Sequence, residues 1–286
     1  MIEVLSPGPY ATVQDLGRPG YAHLGVPRSG AADAGSLRLA NRLVGNGEEL
    51  AGIEFTFGMA RLRFLAGAWV ALAGAPVAAG PARGAGMGVP FWVPGGAELR
   101  LGAPEWGLRT YLAVRGGIAV PPVLGSRATD ALSGLGPEPL RAGARLPVGR
   151  AEGVIPVDLA PPPGPRPAVL RVSPGPRDDW FAPEALEAMC AGAYMVSQDS
   201  NRVGVRLRGP ALGRVKEGEL PSEGMVEGAV QVPPSGQPIV FLADHPPTGG
   251  YPVIGVVRAA DVAVAAQLRP GDEVRFAISR PRVFRR

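Results

Sequence analysis

The chain has 286 residues, of which 46% are apolar and 19% charged, with a formal charge of +4. That composition supports one large or two ordinary domains with a sizeable core and excludes a disordered chain. The arginines are scattered, apart from Arg280, Arg282, Arg285 and Arg286, and the sparse aromatics do not interleave with them, so no nucleic-acid surface is expected.

In chain order, Asp33 can cap a helix running to about Val44, with Leu37, Ala40, Leu43 and Val44 inward and Gly45 ending it. Strands are expected at Ala60–Leu65, Ala68–Leu72, Glu98–Leu101 and Arg109–Val114. The uncharged run from Phe64 to Ala82 is broken by Gly67, Gly74, Pro76, Gly80 and Pro81, so it reads as a buried strand and turn, not a membrane span. A Pro-rich stretch, Leu159 to Pro167, reads as a linker between domains at 1–160 and 168–286. Val4-Leu5-Ser6-Pro7-Gly8-Pro9 and Arg171-Val172-Ser173-Pro174-Gly175-Pro176 open the two parts in a similar way. After the linker, strands are expected at Val169–Val172, Ile239–Leu242 and Glu273–Ala277. One helix starts near Pro183, with Leu186, Met189 and Cys190 inward and Gly192 at its end, and another spans Ala260–Leu268. With 42 glycines and 33 prolines punctuating it, a chain of many short strands and few helices fits β-barrels or sandwiches.

Several chemistries are absent. A single cysteine, Cys190, allows neither an internal disulfide nor a cysteine zinc site, and two histidines, His23 and His245, make a His-rich metal site unexpected. There is no phosphate-cradling G-x-x-x-x-G-K-[ST], no dinucleotide fingerprint between strand and helix, and no G-x-S-x-G elbow. No Met-Lys-Met carrier site is present, so biotin is not attached to this chain. The N-terminus carries no basic segment followed by an apolar run, and a cytoplasmic protein is expected.

Gln14, Asp15 and Arg18 form a polar loop cluster: either a ligand loop in which Arg18 matches a carboxylate or phosphate, or an Asp–Arg pair that pins a turn. Ser29, Asp33, Asn41 and Asn46 bracket the first helix; Asn41 falls mid-helix, where its amide is expected to serve a contact. Arg202 and Arg206, four apart after Asn201, would share a face of a strand and grip an anion, or each pair with an acid. Gln231 precedes a Pro-rich turn. Asp244 and His245 join an acid to an imidazole beside Thr248, Gly249, Gly250 and Tyr251, and the two glycines could aim backbone N–H groups at a developing oxyanion.

The blocks Thr12–Arg18, Gly25–Asp33, Ala40–Asn46, Gly116-Gly117-Ile118, Gly125-Ser126-Arg127, Asn201–Leu207, Ser222-Glu223-Gly224, Gln231–Pro238, Gly249–Pro252 and Ala266–Asp272 together resemble the subunit-2 type of the allophanate-hydrolase-like, or biotin-dependent carboxyltransferase-like, family. Its members include the C-type component of prokaryotic 5-oxoprolinase, the antagonist of a sporulation-kinase inhibitor, and a region of urea carboxylase. The resemblance implies a mostly β fold of two cyclophilin-like β-barrel domains with a few short helices. It implies a subunit-1-type (kinase-inhibitor-like) partner and, for oxoprolinases, a third subunit, the complex using ATP with magnesium to open the lactam of 5-oxo-L-proline to L-glutamate. On that reading Arg18, Arg202 and Arg206 hold phosphate or carboxylate; Asp15, Asp244 and His245 manage protons; Gln14, Asn201, Gln231 and Thr248-Gly249-Gly250 orient the substrate, with Ser29, Asn41 and Tyr251 lining it. The alternatives are a component acting on urea-like amides and a non-catalytic regulator that binds a kinase-inhibitor homologue. Pro246-Pro247 stand where the family often has Gln-Thr, and Ala128 where it has Ser, so the substrate-facing loop departs from the pattern.

Overall fold

The protein is described from a computed structural model over residues 1–161, 164–165, 167–216, 218 and 220–279. Pro162, Pro163 and Arg166 of the expected linker, and Arg280, Arg282, Arg285 and Arg286, lie outside the described residues. The chain divides into two compact units, Met1–Tyr21 with Arg28–Pro165, and Ala22–Pro27 with the described residues after Pro165.

The first unit holds strands β1 (Ile2–Ser6), β2 (Tyr10–Gln14), β3 (Gly52–Thr56), β4 (Arg61–Phe64), β5 (Ala68–Gly74), β6 (Val77–Gly80), β7 (Pro90–Val93), β8 (Glu98–Pro104), β9 (Arg109–Val114) and β10 (Arg145–Leu146), with helix α1 (Ala34–Leu43) between β2 and β3. They make two five-stranded sheets, in the orders β10-β1-β4-β8-β6 and β2-β3-β9-β5-β7. One core lies between them. Ile2, Val4, Leu62, Phe64 and Leu99 reach it from the first sheet, and Val13, Ile53, Phe55, Leu72 and Leu112 from the second.

Strand β5 shows how sequence sets this layering. Alternate residues face opposite sides. Val70 and Leu72 enter the core, while Ala71 and Ala73 form a flat outer face with Tyr111 and Ala113 of β9, on which α1 lays Leu37, Ala40, Leu43 and Val44. Small residues let the helix come close, and fully burying Leu37 and Leu43 stabilises the contact by roughly 2 kcal/mol each. The helix is only ten residues long and depends on that packing. As expected, Asp33 caps it, its carboxylate accepting from Ser36 N–H at 3.0 Å, and Gly45 ends it at φ +69°. Past α1 on the same outer face, Trp69 of β5 and Trp92 of the edge strand β7 stand exposed, edge to face, with ring centroids 5.8 Å apart. The outer face of the first sheet is charged instead: Arg61, Arg63 and Arg100 surround Glu98 and hold its carboxyl below the usual range, Arg61 most strongly.

The second unit is a closed barrel. Its strands are β11 (Val169–Pro174), β12 (Ala193–Val196), β13 (Gly204–Arg208), β15 (Ala229–Gln231), β16 (Ile239–Phe241), β18 (Val253–Val257) and β19 (Glu273–Ile278). They follow the order β11-β18-β15-β16-β13-β12-β19, and the parallel pairing of β11 with β19 closes the ring. Closure leaves no edge strand. Leu170, Val172, Tyr194, Leu207, Val240, Ile254 and Phe276 fill its interior by alternation, and Tyr194 meets Phe276 edge to face at 5.8 Å. A separate ribbon pairs β14 (Glu223–Gly224) with β17 (Thr248–Gly249). Helix α3 (Ala259–Ala265) is tied to β11 by Asp261, which accepts from Arg171 N–H at 2.9 Å and Nε at 2.7 Å.

Helix α2 (Ala185–Ala191) corrects one expectation: Ala185 and Met189 are its buried residues, while Leu186 and Cys190 are half-buried. Seven residues offer three i, i+4 pairs, and the one of Ala185 with Met189 is buried. No helix of the described residues is long and apolar enough to cross a membrane.

Candidate functional sites in the two units

In the first unit, β2 delivers Gln14 and the chain then turns. Asp15 is the knot of that turn. Its carboxylate accepts from Gly17 N–H at 2.8 Å, Ser126 Oγ at 2.6 Å and Arg127 N–H at 2.6 Å. Three donors on a buried carboxylate tie together loops more than a hundred residues apart in sequence. Of the two alternatives for this cluster, the Asp15–Arg18 pair is not the one that forms. Arg18, 1% exposed, runs to the carbonyl oxygens of Val123 and Ala128, and its Nη1 lies 3.8 Å from Asp130 Oδ2. Asp130 is itself fixed by Leu132 N–H at 3.0 Å and Ser133 N–H at 3.1 Å.

Gln14 donates from Nε2 to Thr12 Oγ1 and Thr129 O, both at 3.0 Å, and Ser29 Oγ donates to the same Thr129 oxygen at 3.2 Å. Ser29 holds φ +54°, an uncommon conformation for a side chain-bearing residue. The loops cross so closely that a Cβ on Gly17 would lie 2.4 Å from Ser29 O, and one on Gly30 would lie 2.7 Å from Gly17 N. Three buried atoms here, Gln14 Oε1, Arg18 Nη1 and Thr129 Oγ1, have no hydrogen-bond partner among the described residues. They comprise an acceptor, a cationic donor and a hydroxyl, the set that a water or an amide satisfies.

Behind this corner, Tyr111 donates to Glu54 Oε2 at 2.8 Å and accepts from Asp33 N–H at 2.7 Å, while Ala32 N–H reaches Glu54 Oε2 at 3.0 Å. The Arg109 guanidinium sits 3.5 Å from Glu54 Oε1. Burial pushes the Tyr111 phenol well above its usual range, and the Glu54 and Asp33 charges add to this. The network holds the 29–33 segment in place. Asn41 does not join the cluster. Its amide donates to Leu50 O at 2.7 Å and Glu48 O at 3.3 Å and accepts from Asn46 Nδ2 at 3.0 Å, so this 0% exposed side chain is committed to the fold.

In the second unit, Arg202 and Asp244 form a buried fork, Nε to Oδ2 at 2.8 Å and Nη2 to Oδ1 at 3.0 Å. The expectation that Arg202 and Arg206 share a strand face is corrected. Asn201 Oδ1 accepts from Val203 N–H at 2.8 Å, making a turn, and β13 begins only at Gly204. Alternation therefore does not extend back to Arg202, which turns inward while Arg206 is exposed. Asn201 itself is exposed.

Asp244 and His245 are adjacent but serve different contacts. The acid faces Arg202. The His245 ring, 8% exposed, places Nδ1 2.9 Å from Pro246 O and its centroid 6.0 Å from that of Phe241. A carbonyl only accepts, so Nδ1 carries the hydrogen of this contact, which leaves Nε2 as the ring's other nitrogen for a second partner.

Gln231 closes the group. Its Nε2 donates to Tyr251 O at 3.2 Å and lies 4.0 Å from Met225 Sδ. A Cβ on Gly249 would stand 2.8 Å from that same Nε2, so the absence of a side chain at Gly249 is what lets the Gln231 amide reach the loop. Thr248 and Tyr251 are exposed and Gly250 half-buried. Glu223 of the ribbon is gripped by Arg177, which holds its carboxyl below the usual range. Sequence reasoning missed Arg214, whose guanidinium lies 5.6 Å from the Tyr251 ring centroid and donates to Val232 O at 2.7 Å.

Two β units, each carrying loop-built amide, guanidinium and carboxylate groups, define a carboxyltransferase-like protein, and the chain belongs to the carboxyltransferase domain, subdomain A and B, family, which it matches over residues 24–278. It is 38% identical to the C-type component of 5-oxoprolinase from Escherichia coli (strain K12) across 96% of this chain and 90% of that one. It is 35% identical to urea amidolyase of Lachancea kluyveri across 96% of this chain and 17% of that one. Among solved structures it resembles TTHA0988 (TM-score 0.86, 41% identity) and Kluyveromyces lactis urea carboxylase (TM-score 0.89, 32% identity), each over 96% of this chain. The chain spans 55% of the length of the former and 27% of the latter.

Among the described residues, no group of three or more His, Cys, Asp or Glu gathers to hold a metal ion. Asp15 and Asp244, the acids best placed for such a role, are already occupied by N–H and O–H donors. The described residues therefore offer no carboxylate cluster for magnesium.

Proposed function

We propose that this chain is the C-type component of an ATP-dependent 5-oxoprolinase, acting with a subunit-1-type partner and a third subunit to open the lactam of 5-oxo-L-proline to L-glutamate. The observation that carries this reading is the 38% identity to the E. coli C-type component over nine-tenths of that protein's length. A lactam is a poor electrophile, and ATP supplies the activation; given the donor set above, the nucleotide is assigned to another subunit.

This chain's part is binding, orientation and charge. His245, through Nε2, takes or returns the proton. In the second unit Gln231 and the Thr248–Tyr251 loop align the amide; in the first, Gln14 and Arg18, both buried, brace the loop that carries Thr129. Asp15 and Asp244 hold the loops that carry these groups, and Ser29, Arg202 and Asn201 set their backbone. Arg206, exposed on β13, is left to contact an anion or a partner.

The test is co-purification of the chain with its partner subunits, followed by assay of glutamate release from 5-oxoproline with ATP. Glutamate is expected only when all chains are present. An assembled complex that releases none would overturn the reading. The second reading, action on a urea-like amide, is favoured by the identity to urea amidolyase and by the K. lactis structure. The same complex given urea and a biotinylated carrier already carboxylated, with transfer of the carboxyl group from carboxybiotin to urea as the readout, decides it.

A further inference from the structure

A groove of about 580 Å³ opens on the second unit between residues 211–214, Lys216 and Gly218 on one side and the 234–236 turn on the other. None of the candidate site residues named from sequence lines it, although Pro234, Ser235 and Gly236 fall in the Gln231–Pro238 block. Both charged side chains that line it among the described residues, Arg214 and Lys216, are cations. At Gly213 and Gly218 an added Cβ would meet nothing within 4 Å, so bare backbone borders open space there.

Arg214 is fixed in place. Its guanidinium lies against the Tyr251 ring, Nη2 is anchored on Val232 O, and its backbone bridges to Phe181. Its Nε is buried and has no hydrogen-bond partner among the described residues. A guanidinium held this way has donor capacity left over and little conformational freedom left to lose on binding. Lys216 differs. Its ammonium pairs with Asp179, and both side chains are about half exposed. Such a surface pair is worth little, so the ammonium is free to swing to a ligand. The chain has 29 basic residues, and Lys216 is the single lysine among them. A chain that uses the planar guanidinium everywhere else keeps a compact, rotatable ammonium at this groove.

We infer that the groove binds a small oxyanion, a carboxylate or a phosphate, with Arg214 as the fixed ligand and Lys216 as the mobile one. This inference is independent of the substrate proposed above.

The full-length chain, labelled with nitrogen-15, would be titrated with inorganic phosphate, acetate and 5-oxoproline, with chloride as control, following the Arg214 Nε–H resonance and the amides of Gly213 and Ser235. A saturable shift is expected with at least one oxyanion and not with chloride. Lys216→Ala is expected to weaken it about tenfold or more, the effect of losing one charge-assisted hydrogen bond, and Arg214→Ala to abolish the amide shifts. Phosphate alone binding assigns the groove to a phosphoryl group, and acetate or 5-oxoproline binding assigns it to a carboxylate. If phosphate binds and 5-oxoproline does not, the groove stands without lending support to the oxoprolinase reading. No saturable shift with any oxyanion overturns the inference, as do amide shifts of unchanged affinity in Arg214→Ala. Should Arg214→Ala fail to fold, Lys216→Ala decides: unchanged affinity in that exposed-site variant overturns the two-cation site.

Discussion

Replacing Asp244 by alanine tests whether the Arg202–Asp244 fork is the brace of the second unit's loops. The Arg202 side chain is 6% exposed and that of Asp244 1%. The variant would leave a guanidinium buried without its carboxylate, a loss of about 3–5 kcal/mol. At about 2–4 °C per kcal/mol for a chain of this size, the thermal midpoint of the second unit should fall by roughly 6–20 °C. The assay is thermal unfolding followed by circular dichroism, with the urea midpoint as a second measure. The double variant Arg202→Met/Asp244→Leu removes both charges and fills the space with apolar groups, and it should recover more than half of the loss, because the cost lies in burying the guanidinium without the Asp244 carboxylate. A drop of less than about 1 kcal/mol for Asp244→Ala, or a double variant no better than the single one, would refute the argument.

Three further outcomes are expected. Gly249→Ala should leave the midpoint nearly unchanged while displacing the flexible Gln231 amide, seen as loss of the native Gln231 side-chain resonance together with turnover of the complex; unchanged turnover would separate Gln231 from the site. Asp15→Asn should cost about 1–3 kcal/mol, because an amide cannot accept from all three donors, and should raise hydrogen exchange at Gly17 and Arg127; unchanged protection there would rule out the knot. Tyr111 has a phenol pKa raised on folding, so above about pH 10 the unfolded chain releases a proton that the folded chain keeps. Stability should therefore hold up to that pH and decline beyond it, by at most about 1.4 kcal/mol per pH unit for this group. Tyr111→Phe should flatten its share of that slope, leaving that of Tyr194, whose phenol is pushed up to about 12; an unaltered slope would show that Tyr111 titrates normally.

The sequence made local features legible and left distant ones hidden. Strand Arg109–Val114 stands at its expected bounds, because its apolar run sits between clear breaks. The α1 cap was readable because Asp33 and Ser36 are three residues apart. Helix α2 was placed, but its inward face was misjudged, since seven residues contain too little period to fix a stripe. In the sites, Gln14, Arg18, Gln231 and the 248–251 loop could be marked from their polar, glycine-rich setting. Their partners could not: Ser126 and Asp130 lie more than a hundred residues from Asp15 and Arg18, and Tyr111 is 57 from Glu54. Gly125-Ser126-Arg127 carried a family resemblance but no role of its own, and that was the signal available for the Asp15 knot. Arg214 gave no signal, because its meaning depends on Tyr251 folding back onto it.

Trp69 and Trp92 have an optical consequence. Two indoles 5.8 Å apart and inclined at 63° share their excitation, so the edge of the first unit should give a coupled pair of circular dichroism bands that isolated tryptophans lack. The second unit has Trp180 as its single tryptophan among the described residues. Loss of the coupled bands on heating therefore times the fraying of β7 from β5, while a Trp180→Phe variant, by difference in emission, isolates the signal of the second unit.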